Sequence, residues 1–541
     1  MKITEQLLKK PDIKYWPEVR WWLAEGFHTD KTLKNDVSLL HKSGFGAAEF
    51  LAMGEPGIDN SLYGWGSEEW VHDSKVVIDE VTKYGMGASM TSGTNWSNAN
   101  LTTITPDDRA AAKELNFTVE SVKAGETRSG RLAKSVVKMS SVKMLELIAV
   151  VAGKVTTPDE QGMCMEESSI VILTDSVIDE SLTWTAPEDG DYELLTFWLH
   201  GTGQTAEPSV SISYTVNYID KYGIEALIEY WNNEVLKPEM IATIKENGRV
   251  MMYMDSLELF TSGEGGVFWG YTLLEEFKTR RGYDLTTYLP YIIKHSPGMM
   301  MPGIYYYEGT HKTVIEKVRN DFFQTITDLY MENMLKPMQE WLHSVGMELR
   351  AEISYGLSFE ISQPGKYVDG VETESLEFVS QIDAYRGLSG TAHLYQHLYS
   401  SETGATLHNY MLGLDFFTQI IYTQFAAGVN KTVLHGYSSI AGSDAATYWP
   451  GHEGMLPIFS ERFGIRQPAW QHYNDWTDML ARYQMILRQG KPRIDIGMLR
   501  IDYNYNNLYL LYGNEVDIYE NNLMLAKQGI YWKDMKLQNS R

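Results

Sequence analysis

The feature that most constrains this chain is a short apolar run that stops at a carboxylate. Residues 250–260 read VMMYMDSLELF. The first five are apolar without alternation and follow Gly248, which reads as a strand buried on both faces, as in a parallel sheet. Asp255 and Glu258 stand where the run ends. In a barrel of parallel strands that end carries the chemistry. Taken alone, the stretch also fits a strand that ends in solvent-facing acids.

The same pattern recurs. Glu18–Phe27 reads as a strand ending at Glu25, followed by a helix through His41 capped by Thr29 or Asp30. Ala47–Ala52 is a second strand, then a helix over Ser67–Tyr84, then a third strand over Gly87–Gly93 that runs out at Asn95 and Trp96. The β-α-β-α-β order implies a parallel sheet. From about Leu115 to Val216 the segments alternate apolar and polar residues between Gly and Pro turns, as in NFTVESV and DYELLTFWLHG. No helical period is present there, so an inserted β-sandwich is expected.

Helical patterns resume over Gly223–Glu246 and lead into the fourth strand at Val250. Further strands are expected at Glu348–Gly356 with Glu352, Gly370–Phe378 with Glu372, Glu374 and Glu377, Leu398–Gly404 with Glu402, and Lys431–Tyr437 with His435. Helices fit between them. Eight strands with intervening helices predict a (β/α)8 TIM-type barrel with the sandwich inserted after the third strand. The expected division is 1–112 and 217–490 for the barrel, 113–216 for the insertion, and 491–541 for a C-terminal extension.

Composition narrows the partners. The chain carries 46 basic and 71 acidic residues, a net charge of −25, which argues against nucleic acid or an anionic membrane. A neutral or cationic ligand, or a divalent metal, is compatible. The 15 Trp and 34 Tyr suit stacking on sugar faces as well as core packing. The single cysteine, Cys164, permits neither an internal disulfide nor a cysteine zinc site. Neither a leader-like segment nor an 18-residue apolar run is present. A native Met1 implies the cytoplasm; a removed leader implies export.

Acids cluster at the expected strand ends: Glu25, Asp255, Glu258, Glu352, Glu374, Glu377 and Glu402. Converging carboxylates repel, and burial penalises them further. A fold tolerates them if they bind a cation or share protons in acid/base work. Two carboxylates in unequal environments are the apparatus of glycoside hydrolysis. Any one of these acids alone reads more simply as ordinary pairing; the set does not. Asn95, Trp96, His408, Asn409, His435 and Trp449 fall in loops at the same rim and are expected to bind hydroxyls or stack on a ring. His393 and His397, four apart on an expected helix, lack an HExxH context and read as packing residues. No GxSxG elbow is present, and no GxGxxG follows a strand.

These residues resemble glycoside hydrolase family 106, the α-L-rhamnosidases. The resemblance runs over about residues 15–500, apart from the insertion. It is carried by VRWWLAEG at 19–26, YGMGASMTSGTNWSNAN at 84–100, TGQT at 202–205, NYIDKYG at 217–223 and MDSLEL at 254–259. EEFKTRRGYDLTTYLP at 275–290, AEISYG at 351–356, ESLEF at 374–378, GTAHLY at 390–395, SSETGA at 400–405 and LRQGKPRIDIGML at 487–499 extend it. It implies a barrel enzyme that inverts the anomeric centre, with a calcium ion near the sugar. Glu258 matches the acid, Glu402 the base, and Glu374 or Glu377 the acidic position before an aromatic, with Glu374 and Glu377 the expected metal ligands. The loop TNWSNAN departs from the family's Gly-Trp-Pro run, which leaves a related deoxysugar open. Competing readings are another carbohydrate-active enzyme on the same barrel, with a different glycone or eliminating chemistry, and a non-catalytic glycan-binding protein.

Overall fold

The computed structural model describes residues 5–494 apart from 24–25, 55–57, 95–97, 157–162, 207–210, 260, 263–265, 296–303, 354–358, 361, 379–381, 407–411, 442–446 and 453–462. Eight strands form a closed parallel barrel: β1 (Glu18–Leu23), β2 (Ala47–Ala52), β3 (Gly87–Thr91), β4 (Val250–Met254), β5 (Glu348–Ala351), β6 (Gly370–Glu374), β7 (Leu398–Thr403) and β8 (Lys431–Ala441). Each pairs in parallel with the next. β8 returns to β1 with Glu18 beside Val433, which closes the ring.

Strands β1 to β4 are buried at every residue, as runs without alternation require when helices cover the outside. The helix Asp30–Lys42 starts at a capping box in which Thr29 and Thr32 satisfy each other's backbone N–H. The helix Glu68–Lys83 starts at Ser67, whose hydroxyl accepts from Trp70 N. Two helices stop at left-handed glycines just before a strand, Gly248 (φ 66°) ahead of β4 and Gly346 (φ 87°) ahead of β5. A Cβ at Gly248 would touch nothing, so the backbone angle, not space, selects glycine there.

The fifth and sixth strands are shorter than expected. Glu352 lies just past the end of β5, and the chain turns after Glu374 into a helical turn, Ser375–Phe378. Gly404 N donates to Ser375 Oγ at 3.0 Å and ties that turn to the end of β7.

Between β3 and the helices that lead into β4 (Lys221–Tyr230 and Pro238–Asn247), the chain is mainly antiparallel β. Tyr192–Gly201 pairs with both Lys113–Val122 and Glu146–Thr156. A two-stranded ribbon, Thr127–Arg131 with Ser181–Thr185, completes this part. One set of apolar side chains, including Val122, Leu182, Leu194 and Trp198, forms its own cluster. The alternate set, including Leu115, Val151, Phe197 and Leu199, joins the main core with the barrel. Two strands from the β4–β5 connection extend the same sheet: Val267–Trp269 pairs with Lys113–Leu115, and Tyr307–Gly309 with Met163–Met165. The insertion is thus one sheet with a ribbon, and the barrel chain itself adds to its edges. Among the described residues no helix is long and apolar enough to cross a membrane.

Candidate active site

The parallel strands all point their C-terminal ends at one mouth. Asp255 follows β4 directly, Glu352 follows β5, and Glu402 lies near the end of β7. One carboxylate oxygen from each comes within 4.8 Å of the others, and all three residues are buried. Glu374, at the end of β6, is the register partner of Glu402 on the neighbouring strand and is also buried.

Arg20 on β1 holds this group from the opposite wall. Its Nη1 lies 2.6 Å from Glu402 Oε2 and 3.0 Å from Asp255 Oδ2, and its Nε 2.6 Å from Glu49 Oε1. His435 Nε2 is 3.7 Å from the other oxygen of Glu402. The His435 ring meets Trp22 edge-on, with centroids 4.8 Å apart. Glu352 has no such support: among the described residues neither of its oxygens accepts a hydrogen bond. Burial, then the neighbouring Asp255, Glu374 and Glu402, pushes Glu352 well above the usual carboxylate range. Burial also raises Glu402 far above that range; Arg20 pulls it down and Asp255 and Glu374 push it up.

Below the mouth, charges alternate in sign. Arg350 on β5 contacts Glu18 (3.2 Å), Glu49 and Glu372 (3.3 Å). Glu18 also meets Lys431 and accepts from Ser89 Oγ at 2.7 Å. Ser400 donates to Glu372. The Tyr253 ring lies between the two guanidiniums, 4.9 Å from Arg20 and 4.8 Å from Arg350. Burial alone would raise Glu18, yet Arg350 and Lys431 hold it down to about 2. Burial pushes Glu49 up to about 7 against the pull of Arg20 and Arg350.

Glu258 lies three residues past Asp255 on the loop after β4 and is half-buried. Ser256 Oγ donates to its Oε1 at 3.3 Å. The structure therefore brings Asp255, Glu352, Glu374, Glu402 and His435 to one mouth, with Glu258 on an adjoining loop. Glu25, Asn95, Trp96 and His408 lie outside the described residues. Trp449 belongs to the strand Thr447–His452 and Glu377 to the turn after β6, but their side chains also lie outside them. The Glu374–Glu377 metal pair expected from sequence therefore stays an expectation, and the oxygens that converge are those of Asp255, Glu352 and Glu402. His393 and His397 do not share a helix as expected. The helix ends at Tyr395, and Gln396 has φ 60°.

Sequence reading missed Arg20, Glu49, Arg350 and Tyr253. The signal was present: EVRWWL, AAEFLA and ELRA each place a charge inside a strand buried on both faces. Such a charge needs a partner inside the barrel.

The α-L-rhamnosidase model of glycoside hydrolase family 106 matches residues 145–517, well over half of the chain. The chain belongs to glycoside hydrolase family 106. A solved relative of this family-106 chain, a rhamnosidase from Novosphingobium sp. PP1Y, superposes with a TM-score of 0.69 at 14% identity. The alignment covers 91% of this chain and 61% of that one, and at this identity it speaks for the fold alone. A Formosa agariphila protein named "Putative beta-glucuronidase" is 23% identical over 484 residues, 82% of this chain and 38% of its own. This family-106 chain thus spans less than two thirds of the length of either protein.

Proposed function

We propose that this chain is a glycosidase that hydrolyses a neutral deoxysugar glycoside, an α-L-rhamnoside in the first instance, with inversion. The observation that carries this reading is the mouth itself. Asp255, Glu352, Glu374 and Glu402 are gathered around one arginine that is already engaged with Glu49, Asp255 and Glu402. A uronate would bring a further negative charge to this group, so a neutral glycone suits it better. The glucuronidase-named relative favours a second reading, in which a cation bridges a uronate carboxylate to the same acids.

In the proposed mechanism Glu402 is the base. Arg20 and His435 orient its carboxylate, and a water between it and the anomeric carbon loses its proton to it as it attacks. Glu258 is the acid and protonates the departing glycosidic oxygen; its partial exposure lets it meet substrate. Inversion requires the two carboxyl groups about 6.5–9.5 Å apart, to leave room for that water. Glu25, Asn95, Trp96, His408 and Trp449 remain proposed contacts to the sugar.

The oxygens of Glu352, which accept no hydrogen bond among the described residues, fit a hard cation. Asp255 and Glu352 would hold calcium, with Glu374 beside them, which leaves Glu402 to act as the base. When bound, it would neutralise the cluster and offer a ligand position to sugar hydroxyls. The inserted module at 113–216 and the barrel segments on either side are proposed as the working division of the chain.

The test is hydrolysis of aryl α-L-rhamnosides and aryl β-glucuronides, with and without calcium, with the first-formed anomer followed by proton NMR. Release of β-L-rhamnose supports the reading. Turnover of the glucuronide alone would overturn the glycone, and retention would overturn the mechanism.

A further inference from the structure

We propose that the β-insertion belongs to the catalytic apparatus, with Gln204 and Glu114 as positioning residues for the loop that bears Glu258. This rests on Glu258 being the acid. Residues 255–259, which follow β4, lie outside helix and strand, and the next element is the strand Val267–Trp269. An acid on such a loop needs fixed points, because placement must hold to about 0.5 Å for productive chemistry.

The insertion supplies those points. Gln204 Nε2 donates to the backbone carbonyl of Glu258 itself at 2.6 Å. Glu114, fully buried at the base of the sheet, accepts from both Ser262 N and Ser262 Oγ, each at 2.6 Å. Beyond the loop, Val267–Trp269 pairs antiparallel with Lys113–Leu115, so the far anchor is the same strand that carries Glu114. Inside the loop, Glu258 N donates to Ser256 O at 2.8 Å. The acid's backbone is thus gripped from the insertion on one side and by its own turn on the other. The buried Glu114 carboxylate takes two short donors from the loop, and His200 Nε2 of the insertion stands 3.2 Å from its Oε1.

The barrel walls carry Glu402, whereas the insertion carries the geometry of Glu258. Loss of the clamp should therefore harm proton donation and spare the other steps. Aryl leaving groups separate the two, because dinitrophenolate departs without protonation and phenolate does not.

The variant Gln204→Met keeps the side chain's bulk and removes its donor. For Gln204→Met the expected result is a fall in kcat/KM of about 10- to 100-fold on phenyl α-L-rhamnoside. On dinitrophenyl α-L-rhamnoside less than about threefold is expected, since acid assistance is not needed there. Glu258→Gln is the reference and should show the same selectivity with a larger factor, about 10²–10⁴ on the phenyl substrate. Ser262→Ala, a smaller lesion in the same clamp, covers the case in which Gln204→Met does not fold. Hydrogen exchange on the full chain supplies a readout free of substrate: residues 255–259 should exchange faster in the clamp variants while the barrel strands do not change. Equal slowing of both substrates, or unchanged exchange in the loop, overturns the clamp. If instead Glu258→Gln slows both substrates equally, or neither rhamnoside is cleaved, the functional reading fails and the exchange result alone decides the clamp.

Discussion

The barrel interior holds two buried charged layers that differ in one respect. In the floor, Glu18, Glu49 and Glu372 face Arg350 and Lys431, and most contacts join opposite signs. At the mouth, Asp255, Glu352, Glu374 and Glu402 share Arg20, and Glu352 has no hydrogen bond among the described residues. The acids of both layers are buried. Stability alone explains the floor, because each charge there lies beside its counterion. It does not explain the mouth, where acids from three strands bring oxygens within 4.8 Å of one another. The imbalance marks the layer kept for chemistry.

Substitutions can break this contrast. The largest effect is expected from Glu402→Gln at the mouth: turnover of a cleaved aryl glycoside falls by about 10³-fold or more, while the thermal midpoint holds or rises. Near-normal turnover would remove Glu402 from the base's role. The floor should behave in the opposite way. Arg350→Met leaves Glu18, Glu49 and Glu372 short of a counterion and should cost about 3–5 kcal/mol in denaturant unfolding, the usual range for breaking a buried pair. An undiminished unfolding midpoint would mean that the floor is not the structural layer.

A cation offers a gentler test. Calcium at about one hundred times its Kd should stabilise the protein by about 2.7 kcal/mol, and a chelator should reverse it. Glu352→Gln should abolish most of that shift and Glu372→Gln, in the floor, should not. Equal response in both variants would place the ion elsewhere.

In pH dependence Glu18 of the floor and the acids of the mouth should bend the stability curve in opposite directions. Glu18 is held down to about 2 from an ordinary 4.5, so its contribution is present above 4.5 and is lost as pH falls toward 2. Glu352 and Glu402 are raised from 4.5, so theirs is full below 4.5 and is lost as pH rises through their folded values. Glu18→Gln should flatten the acid limb of chemical unfolding and Glu352→Gln the decline toward neutral pH. The reverse assignment would contradict the counterion pattern.

Much of this architecture was legible in advance. β2 and β4 have the bounds read from AAEFLA and VMMYM, because runs buried on both faces carry no competing period. β5 and β6 end early because a barrel strand needs only to span the barrel, and the acids beyond it belong to loops and turns. Asp255, Glu352 and Glu402 were legible as strand-end acids, but their mutual approach depends on the closure of the ring. Arg20 was passed over because it sits among Trp21, Trp22 and Val19, where attention goes to the apolar neighbours. The clamp from Gln204 to Glu258 was not legible at all. It joins residues 54 apart in sequence through a side-chain donor and a backbone carbonyl, and neither leaves a pattern.

The seam between β1 and β8 has a consequence for synthesis. Glu18 sits beside Val433, Lys431 supplies one of its counterions, and Trp21 Nε1 donates to Ser439 Oγ at 3.0 Å. The first strand leaves the ribosome long before any of these partners exists. Until they arrive, the nascent chain carries an open sheet edge and an under-neutralised acid in its interior. Loop-closure entropy makes such distant pairing slow, and unpaired edges recruit other chains. Refolding yield should therefore depend steeply on protein concentration, with ring closure as the late step that decides between a native molecule and an aggregate.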